Sequence, residues 1–254
     1  MPDRETLTAA IITQDEPFVV PLLLDRLLAE KRDRIAAIFV AENPRAESLL
    51  ATVRHWGSVF DPLSFVRYGL RYVGAKLSGS GPEKIAREHD VPVEAVADIN
   101  APEFLQRLRE MGVDLILSIS CPQIFREEIL ALPPMGCVNV HAAPLPRYRG
   151  MLPTFWVLYE SERETAVTVH YMNEALDDGP IILQEAVPIP EGETQANLMR
   201  RCKIVGARLL SQAIDLMEMG EVRTRENPRG EATYYSFPTP EQAREFRARG
   251  GRWM

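Results

Sequence analysis

Two short, almost wholly apolar runs with a helical pattern between them most constrain the fold of this chain. Residues 7–13 and 34–41 each show the near-continuous apolarity of strands that are buried on both faces. Between them, residues 17–31 place Val20, Leu23 and Leu27 at helical spacing. A strand–helix–strand order favours parallel strands joined by a right-handed crossover. The chain is therefore predicted to be an α/β protein with a mostly parallel sheet.

The same alternation continues towards the carboxyl end of the sequence. Further strands are predicted at residues 113–118, 136–140, 166–172 and 181–189, and helices at residues 83–89, 102–111, 153–160 and 194–219. A last strand at residues 232–237 and a charged helix at residues 240–249 follow. We expect one α/β domain over residues 1–219 and a short C-terminal extension, a strand plus a helix, over residues 220–254.

The composition argues against several classes of protein. The chain has 29 Lys+Arg and 36 Asp+Glu, a formal net charge of −7, which disfavours general nucleic-acid binding because that binding depends on neutralising phosphates. No apolar run approaches the roughly 20 residues that span a bilayer, and no signal-peptide core is present. Cys121, Cys137 and Cys202 are too scattered for a disulfide framework or a zinc site. The sequence predicts a soluble, cytoplasmic protein without a metal, a transmembrane segment or a specific nucleic-acid partner.

Asn139 and His141 are the first candidates for catalysis. They lie two residues apart at the end of a predicted strand, so both side chains point to one face, and ligands of parallel sheets bind beyond such strand ends. Pro144 and Pro146 restrict the loop that follows, and Gly150 can adopt a positive φ. Taken alone, the pair also fits a structural interpretation, in which the amide caps a turn and the imidazole satisfies a buried carbonyl.

Asp177 and Asp178 precede Gly179-Pro180, and on their own they are typical of a turn. Together with Asn139 and His141, a carboxylate completes a set for acyl transfer, which needs an oxyanion donor, a general base and an acid that orients the base. The two segments therefore gain a catalytic interpretation when they are considered together.

Three motifs occur in the order and spacing of one enzyme family: Asn139-x-His141, Leu145-Pro146-x-x-x-Gly150 and Asp177-x-Gly179. They resemble those of the formyltransferases that use 10-formyltetrahydrofolate, which include glycinamide ribonucleotide transformylase, methionyl-tRNA formyltransferase and the sugar N-formyltransferases. The resemblance covers about residues 112–189, and the pattern of residues 7–41 is compatible with it. It implies a Rossmann-like fold and an enzyme of one-carbon transfer with 10-formyltetrahydrofolate as the formyl donor.

The resemblance also implies residue roles. Asn139 would hold the formyl oxygen, His141 would take the proton from the attacking amine, and Asp177 rather than Asp178 would orient His141. The donor's pterin would lie against backbone groups near Gln123, Ile124 and Phe125. The loop at residues 173–177, which includes Leu176 and Asp177, would close the other side of that pocket.

The acceptor is expected to be a small primary amine, and an amino sugar linked to a nucleotide or a lipid is favoured. The Pro144-Leu145-Pro146 form resembles the sugar branch, and only about 35 residues follow the long helix, where the tRNA enzymes have a further β-barrel domain. Residues 14–16 (Gln-Asp-Glu) would repel the phosphate of glycinamide ribonucleotide. A formyltetrahydrofolate hydrolase, a methionyl-tRNA formyltransferase-like enzyme and a non-catalytic folate-binding relative are the alternatives.

Other segments have less specific interpretations. Arg147 and Arg149 flank the catalytic loop and are predicted to bind a diphosphate or carboxylate of the acceptor, with solvated loop charges as the alternative. A helix over residues 60–77 is expected to pack on the sheet through Val66, Leu70, Val73 and Leu77, and contact with a membrane surface is the alternative. His170 is interpreted as structural. The aromatic residues of the tail are compatible with a homodimer contact or with a wall of the acceptor pocket.

Overall fold

The computed structural model describes residues 7–44 and 57–254. Within these ranges the helices are α1 (Val20–Lys31), α2 (Pro62–Leu77), α3 (Pro82–Glu88), α4 (Pro102–Glu110), α5 (Glu127–Leu130), α6 (Pro153–Tyr159), α7 (Gln195–Glu218) and α8 (Pro240–Ala248). The strands are β1 (Ala9–Thr13), β2 (Ile35–Ala41), β3 (Val93–Val96), β4 (Leu115–Ile119), β5 (Cys137–His141), β6 (Arg149–Gly150), β7 (Glu164–Tyr171), β8 (Ile181–Pro188) and β9 (Tyr234–Tyr235).

Seven of these strands form one twisted sheet in the order β3-β2-β1-β4-β5-β7-β8. The first five are parallel, whereas β7 is antiparallel to both β5 and β8. From β1 the chain winds outward through β2 and β3, and then returns to the other side of β1 at β4. The strand order therefore reverses between β1 and β4, the kind of position at which ligands bind in open α/β sheets.

Helices cover both faces of the sheet, and alternate residues of the strands supply the two cores. On one face, Ile11 and Leu117 pack with α1 and α7 through Leu24 and Leu210. On the other face, Ile12 and Ile116 belong to a second cluster with residues of α4. Burial on both faces explains why these strands are almost wholly apolar in the sequence. The predicted α/β fold with a mostly parallel sheet is confirmed.

Most predicted elements agree with the structure within a few residues, but among the described residues the short strands β3 and β6 and the one-turn helix α5 were missed. β3 has only four residues, Val-Glu-Ala-Val, and lies at the edge of the sheet beside β2. A short, half-exposed edge strand contains too few apolar residues for its period to be detected. Among the described residues, no helix is both long enough and apolar enough to cross a membrane.

The expectation that α2 packs on the sheet through its apolar stripe is wrong. Val66, Leu70, Val73 and Leu77 are exposed, and the face that contacts the body of the protein contains Phe65 and Tyr68 instead. Helical periodicity identifies an apolar face, but it does not determine which of two apolar faces is covered.

The C-terminal tail lies against the body of the protein. β9 pairs in parallel with β6, which is part of the loop after His141. Backbone bonds join Gln195 and Ala196, at the start of α7, to Arg252 and Trp253. The predicted boundary between residues 219 and 220 stays a prediction, but the extension contacts the segment that follows β5.

Candidate active site

Asn139 and His141 lie on β5, between the parallel strand β4 and the antiparallel strand β7. The register pairs Asn139 with Ser118 on one side and with His170 on the other. Val138 and Val140 point into the core shared with α1 and α7, so the alternation of the strand directs Asn139 and His141 to the opposite face. The loop at residues 172–180, between β7 and β8, brings Asp177 to the same face.

The proton chemistry of His141 is determined by its contact with the loop that follows β5. Its Nε2 lies 2.7 Å from the carbonyl oxygen of Tyr148. A carbonyl only accepts hydrogen bonds, so Nε2 bears a hydrogen and donates it. Nδ1 is therefore the nitrogen that gains or loses a proton, and it faces Asp177 Oδ1 at 3.7 Å. The Tyr148 carbonyl, rather than Asp177, orients the ring.

Asp177 is a buried carboxylate whose charged form is stabilised by its surroundings. Its Oδ2 accepts a 2.8 Å hydrogen bond from the backbone N–H of Gly150, and its backbone has a positive φ of 50°. Burial alone raises the pKa of Asp177, but the positive charges that His141 and His170 have when they are protonated, together with the Gly150 amide, outweigh it. The pKa of this carboxyl is therefore well below its ordinary value, and Asp177 presents a negative charge to His141.

His170 belongs to the same cluster, although the sequence analysis interpreted it as structural. Its Nδ1 donates to the carbonyl of Tyr171 at 2.7 Å, so Nε2 of the neutral ring accepts from Asn139 Nδ2 at 3.2 Å. The second N–H of the Asn139 amide has a contact of 3.5 Å to Asp177 Oδ1. Replacing this weak contact with a bond to a ligand oxygen costs little. The signal for His170 was its position on the inward side of an alternating strand, opposite Asn139.

We call Asn139, His141, His170 and Asp177 the catalytic cluster. It combines an amide donor, an imidazole with one exchangeable nitrogen, a second imidazole that orients the amide, and a carboxylate. The contacts around Asp177 Oδ1, at 3.5 to 3.7 Å, are longer than direct hydrogen bonds. The arrangement can hold a carbonyl oxygen and accept a proton from an attacking amine, which are the two requirements of acyl transfer.

Both glycines of the sequence motifs are required by close backbone approaches. A Cβ at Gly150, which has a φ of 101°, would lie 2.2 Å from the carbonyl oxygen of Tyr235. A Cβ at Gly179 would lie 1.9 Å from the carbonyl oxygen of Tyr171. These approaches bring the tail onto the catalytic loop and fold the Asp177 turn onto the end of β7.

The structure gives Arg149 and Asp178 roles different from those predicted. Arg149 is fully buried; its Nη1 pairs with Asp178 and contacts the Tyr234 hydroxyl, and its Nη2 donates to Asn227 Oδ1 at 2.9 Å. An acceptor could reach this guanidinium only after these bonds broke, so the predicted binding role of Arg149 is replaced by a structural one. Asp178 pairs with Arg149 and Arg229, so it is a buried ion partner rather than a simple turn residue.

Asp178 also interacts with Arg229, whose Nη2 lies 2.7 Å from its Oδ2. Hydrogen bonds from Arg229, together with those from Arg149 and Asn173, outweigh burial and hold the pKa of Asp178 well below its ordinary value.

Asn227, in the tail, is a further residue that the sequence analysis missed. Its Nδ2 donates to the carbonyls of Asp177 and Gly179 at 2.9 and 3.0 Å, and its Oδ1 accepts from Arg149. One buried amide thus ties the Asp177 turn to the catalytic loop. No local sequence signal identifies it, because its partners are about 50 and 78 residues away along the chain.

The residues predicted to line the donor pocket lie on two loops. The Gln123 side chain donates to the carbonyls of Glu42 and Ala97, so it braces strand ends, and Phe125 is buried. Ile124 and Leu176 are 72% and 58% exposed, one from each loop. The predicted pterin contact at these two loops stays a prediction.

Arg147 is exposed beside the catalytic loop. It pairs with Glu162, and its guanidinium lies over the Tyr148 ring at 5.0 Å from the ring centroid. Its predicted contact with an acceptor stays a prediction.

A second polar feature, which we call the switch-point crevice, is defined by Glu16 and Ser120, which follow β1 and β4, and by Lys203 of α7. The Glu16 carboxylate accepts from the backbone N–H groups of Phe18, Val19 and Val20 at 2.7 to 2.9 Å, so it occupies the amino terminus of α1. Lys203 Nζ donates to Ser120 Oγ at 2.6 Å. Burial lowers the pKa of Lys203 to about 8, although the charge of Glu16 acts in the opposite direction.

The parallel sheet, its switch point and the catalytic cluster define a class: a Rossmann-like α/β protein equipped for acyl transfer. Within this class, a family model described as formyl transferase matches residues 76–214, which is more than half of the chain. The chain belongs to the formyl transferase family. The resemblance stated from the three sequence motifs is thereby confirmed.

Individual relatives agree with this assignment. The methionyl-tRNA formyltransferase of Pelobacter propionicus is 38% identical over 149 residues, which are 59% of this chain and 47% of that protein. The chain thus spans about half the length of such relatives.

Solved structures share the fold. Glycinamide ribonucleotide transformylase 1 from Symbiobacterium toebii superimposes with a TM-score of 0.64 at 23% identity, covering 89% of this chain and 96% of that one. An N-formyltransferase from Helicobacter canadensis, in complex with folinic acid and dTDP-3-aminofucose, gives a TM-score of 0.61 at 16% identity, with coverage of 96% and 80%.

Proposed function

We propose that this chain is an N-formyltransferase that moves a formyl group from 10-formyltetrahydrofolate to a primary amine. The observation that supports this proposal most strongly is the catalytic cluster, in which the Asn139 amide donor and the exchangeable nitrogen of His141 lie 3.5 and 3.7 Å from the same oxygen of the Asp177 carboxylate. Family membership adds support, because the cluster residues lie inside the matched region.

The chemistry divides among three side chains. The donor supplies the formyl carbon; the amine adds to that carbon, the bond to the folate nitrogen breaks, and the products are a formamide and tetrahydrofolate. Asn139 Nδ2 donates a hydrogen bond to the formyl oxygen as its negative charge grows. His141 Nδ1 accepts a proton from the amine while Nε2 keeps its bond to Tyr148, and this proton passes to the folate nitrogen as its bond to the formyl carbon breaks, which regenerates the neutral imidazole. Asp177 stabilises the resulting imidazolium by its charge at 3.7 Å.

The two loops that end at Phe125 and Asp177 suit the donor. Their exposed side chains, Ile124 and Leu176, offer an apolar slot for a pterin beside Asp177. In the solved structure of the same fold from Helicobacter canadensis, the complex includes folinic acid, a folate compound.

For the acceptor, we propose a small amino sugar linked to a nucleotide or a lipid. The Glu16 carboxylate occupies the amino terminus of α1 with three backbone bonds, so a phosphate at that position would meet a negative charge. This contact argues against glycinamide ribonucleotide bound with its phosphate there. Lys203 and Ser120 remain as donors for hydroxyl or carbonyl oxygens of a sugar.

Methionyl-tRNA is the second candidate acceptor. The 38% identity to a methionyl-tRNA formyltransferase over 149 residues favours it. The net charge of −7 favours a small acceptor instead, because binding of a tRNA depends on neutralising its phosphates.

One experiment separates these functions. The protein is incubated with 10-formyltetrahydrofolate and, in parallel, with nucleotide-linked amino sugars, lipid-linked amino sugars, glycinamide ribonucleotide or charged initiator tRNA. Absorbance reports tetrahydrofolate, and mass spectrometry reports one added formyl group. We expect formylation of an amino sugar. Formate release without any amine would indicate a hydrolase, efficient tRNA formylation would select the second candidate, and no turnover in any arm would contradict the proposed activity.

A further inference from the structure

Helix α2 presents an apolar stripe to solvent along its whole length. The stripe consists of Leu63, Val66, Leu70, Val73 and Leu77, which are 55 to 85% exposed. Their spacing of three and four residues places them on one side of the helix. Scattered exposed leucines are ordinary, whereas a continuous row of five is the signature of an interaction surface.

The opposite side of α2 fixes the helix to the body of the protein. Tyr68 packs against Phe18 and Phe60 at ring-centroid distances of 5.3 and 5.5 Å. At the helix start, the Asp61 side chain accepts from the Ser64 N–H at 2.9 Å. The stripe therefore faces outward on a helix whose other face is anchored.

The charged residues of α2 itself are all positive. Residues 62–77 include Arg67, Arg71 and Lys76 and no acidic residue, in a chain whose net charge is −7. Helical spacing puts the two arginines on one side of the stripe and Lys76 on the other. An apolar face bordered by basic residues complements an anionic lipid surface, in which the apolar side chains enter the acyl boundary and the cations meet the headgroups.

We propose that α2 docks this protein on anionic membrane surfaces. A second copy of the chain suits the surface less well, because pairing through α2 would bring the arginines of two copies together. Lys76 pairs with Asp15, which is the neighbour of Glu16, so α2 ends close to the switch-point crevice. Docking would thus hold this crevice near the lipid surface. The proposal goes beyond the proposed function and does not depend on it.

Vesicle flotation of the full chain tests the proposal without donor or acceptor. We expect binding to vesicles of phosphatidylcholine mixed with phosphatidylglycerol, little binding to phosphatidylcholine alone, and a decrease as salt is raised. The double variant Leu70→Gln/Leu77→Gln should lose binding, whereas Met219→Gln, at an exposed site elsewhere, should keep it. Arg67→Gln should weaken binding about fivefold, the equivalent of about 1 kcal/mol per basic residue, and Arg244→Gln in α8 should not.

Three results would overturn the proposal. The wild-type protein could fail to bind the anionic vesicles at low salt, or the stripe variant could bind as well as wild type. In the third, light scattering would show that the wild-type protein is a dimer and the stripe variant a monomer, while neither binds vesicles. A second copy of the chain would then be the partner that covers the stripe. Circular dichroism of each variant verifies that it is folded.

Discussion

The catalytic cluster and the switch-point crevice lie at the ends of neighbouring strands, but their polar groups are bonded in different ways. In the cluster, Asp177 Oδ1 faces three side chains at 3.5 to 3.7 Å, which leaves those groups able to exchange partners. In the crevice, Glu16 already makes three bonds of 2.7 to 2.9 Å, and Lys203 makes one of 2.6 Å. The difference suggests that the chemistry depends on groups that can exchange partners, whereas the amino terminus of α1 excludes a phosphate through a charge that the chain itself supplies.

The largest predicted effect is a loss of turnover when Asn139 or His141 is replaced, because these two side chains would contact the reacting atoms. Asn139→Ala should lower kcat about 100- to 1000-fold through loss of an oxyanion donor. His141→Ala should lower it about 100- to 10,000-fold through loss of the proton acceptor. Donor affinity should stay nearly unchanged, because the pterin would bind on other loops. Steady-state kinetics and donor titration measure both quantities.

His89→Ala is the matched control, because His89 ends α3 and pairs with Asp25 at 2.9 Å. Near-native turnover in both Asn139→Ala and His141→Ala would show that the cluster is not the active site.

The adjacent residues Asp177 and Asp178 offer a second test, because replacing the first should mainly lower activity and replacing the second should mainly lower stability. Asp177→Asn should lower turnover about 100-fold or more, because the imidazolium loses its anionic partner. Asp178→Asn leaves the fully buried Arg149 without its carboxylate, so we expect a loss of about 3 to 5 kcal/mol in the free energy of unfolding. Urea unfolding and kinetics of both variants measure the two effects.

Arg229→Gln is the control for Asp178→Asn, since it removes the exposed partner of the same carboxylate and should cost far less stability than Asp178→Asn does. If Asp178→Asn is stable but inactive and Asp177→Asn is active, the assignment of the two carboxylates is reversed.

The sequence predicted the parts of the site that lie in continuous motifs, and it failed where distant segments meet. Asn139, His141 and Asp177 were found because a strand and a turn place them, and the apolar runs predicted the sheet. The role of His170 depends on the antiparallel register of β7 against β5, which strand periodicity does not specify. The burial of Arg149 depends on Asn227, 78 residues away. The exposure of the α2 stripe was not predictable, because amphipathicity does not identify what covers a face.

Asn227 tests whether the tail is part of the site. Asn227→Ala removes bonds to the carbonyls of Asp177 and Gly179 and from Arg149, so we expect a loss of about 1 to 3 kcal/mol in stability. We also expect lower turnover, because the Asp177 turn would no longer be tied to the catalytic loop. Thermal unfolding and kinetics measure these effects, with exposed Asn197→Ala as control. Native stability and turnover in Asn227→Ala would show that residues 220–254 are an appendage.

The pH dependence of stability follows from the two aspartates of the 177–178 turn. Because the folded protein holds the pKa of both carboxyls below its ordinary value, the unfolded chain takes up their protons first as the pH falls. Their stabilisation is therefore present above about pH 4 and is lost as the pH falls towards the lowered folded-state pKa values. Urea unfolding at a series of pH values should show this decrease, and Asp178→Asn should show a smaller one. An equal decrease in both proteins would contradict the assigned role of Asp178.

The smallest predicted effect concerns Glu16, whose carboxylate occupies the position at the amino terminus of α1 where a phosphate could otherwise bind. Glu16→Ala removes three hydrogen bonds at the amino terminus of α1, and we expect a loss of about 0.5 to 2 kcal/mol in stability. The freed N–H groups and the nearby Lys203 then favour an anion, so inorganic phosphate should raise the melting temperature of Glu16→Ala but not that of wild type. Glu30→Ala, which removes a carboxylate from the far end of α1, is the control. If phosphate stabilises wild type and Glu16→Ala equally, Glu16 does not close this position, and this contact no longer disfavours glycinamide ribonucleotide.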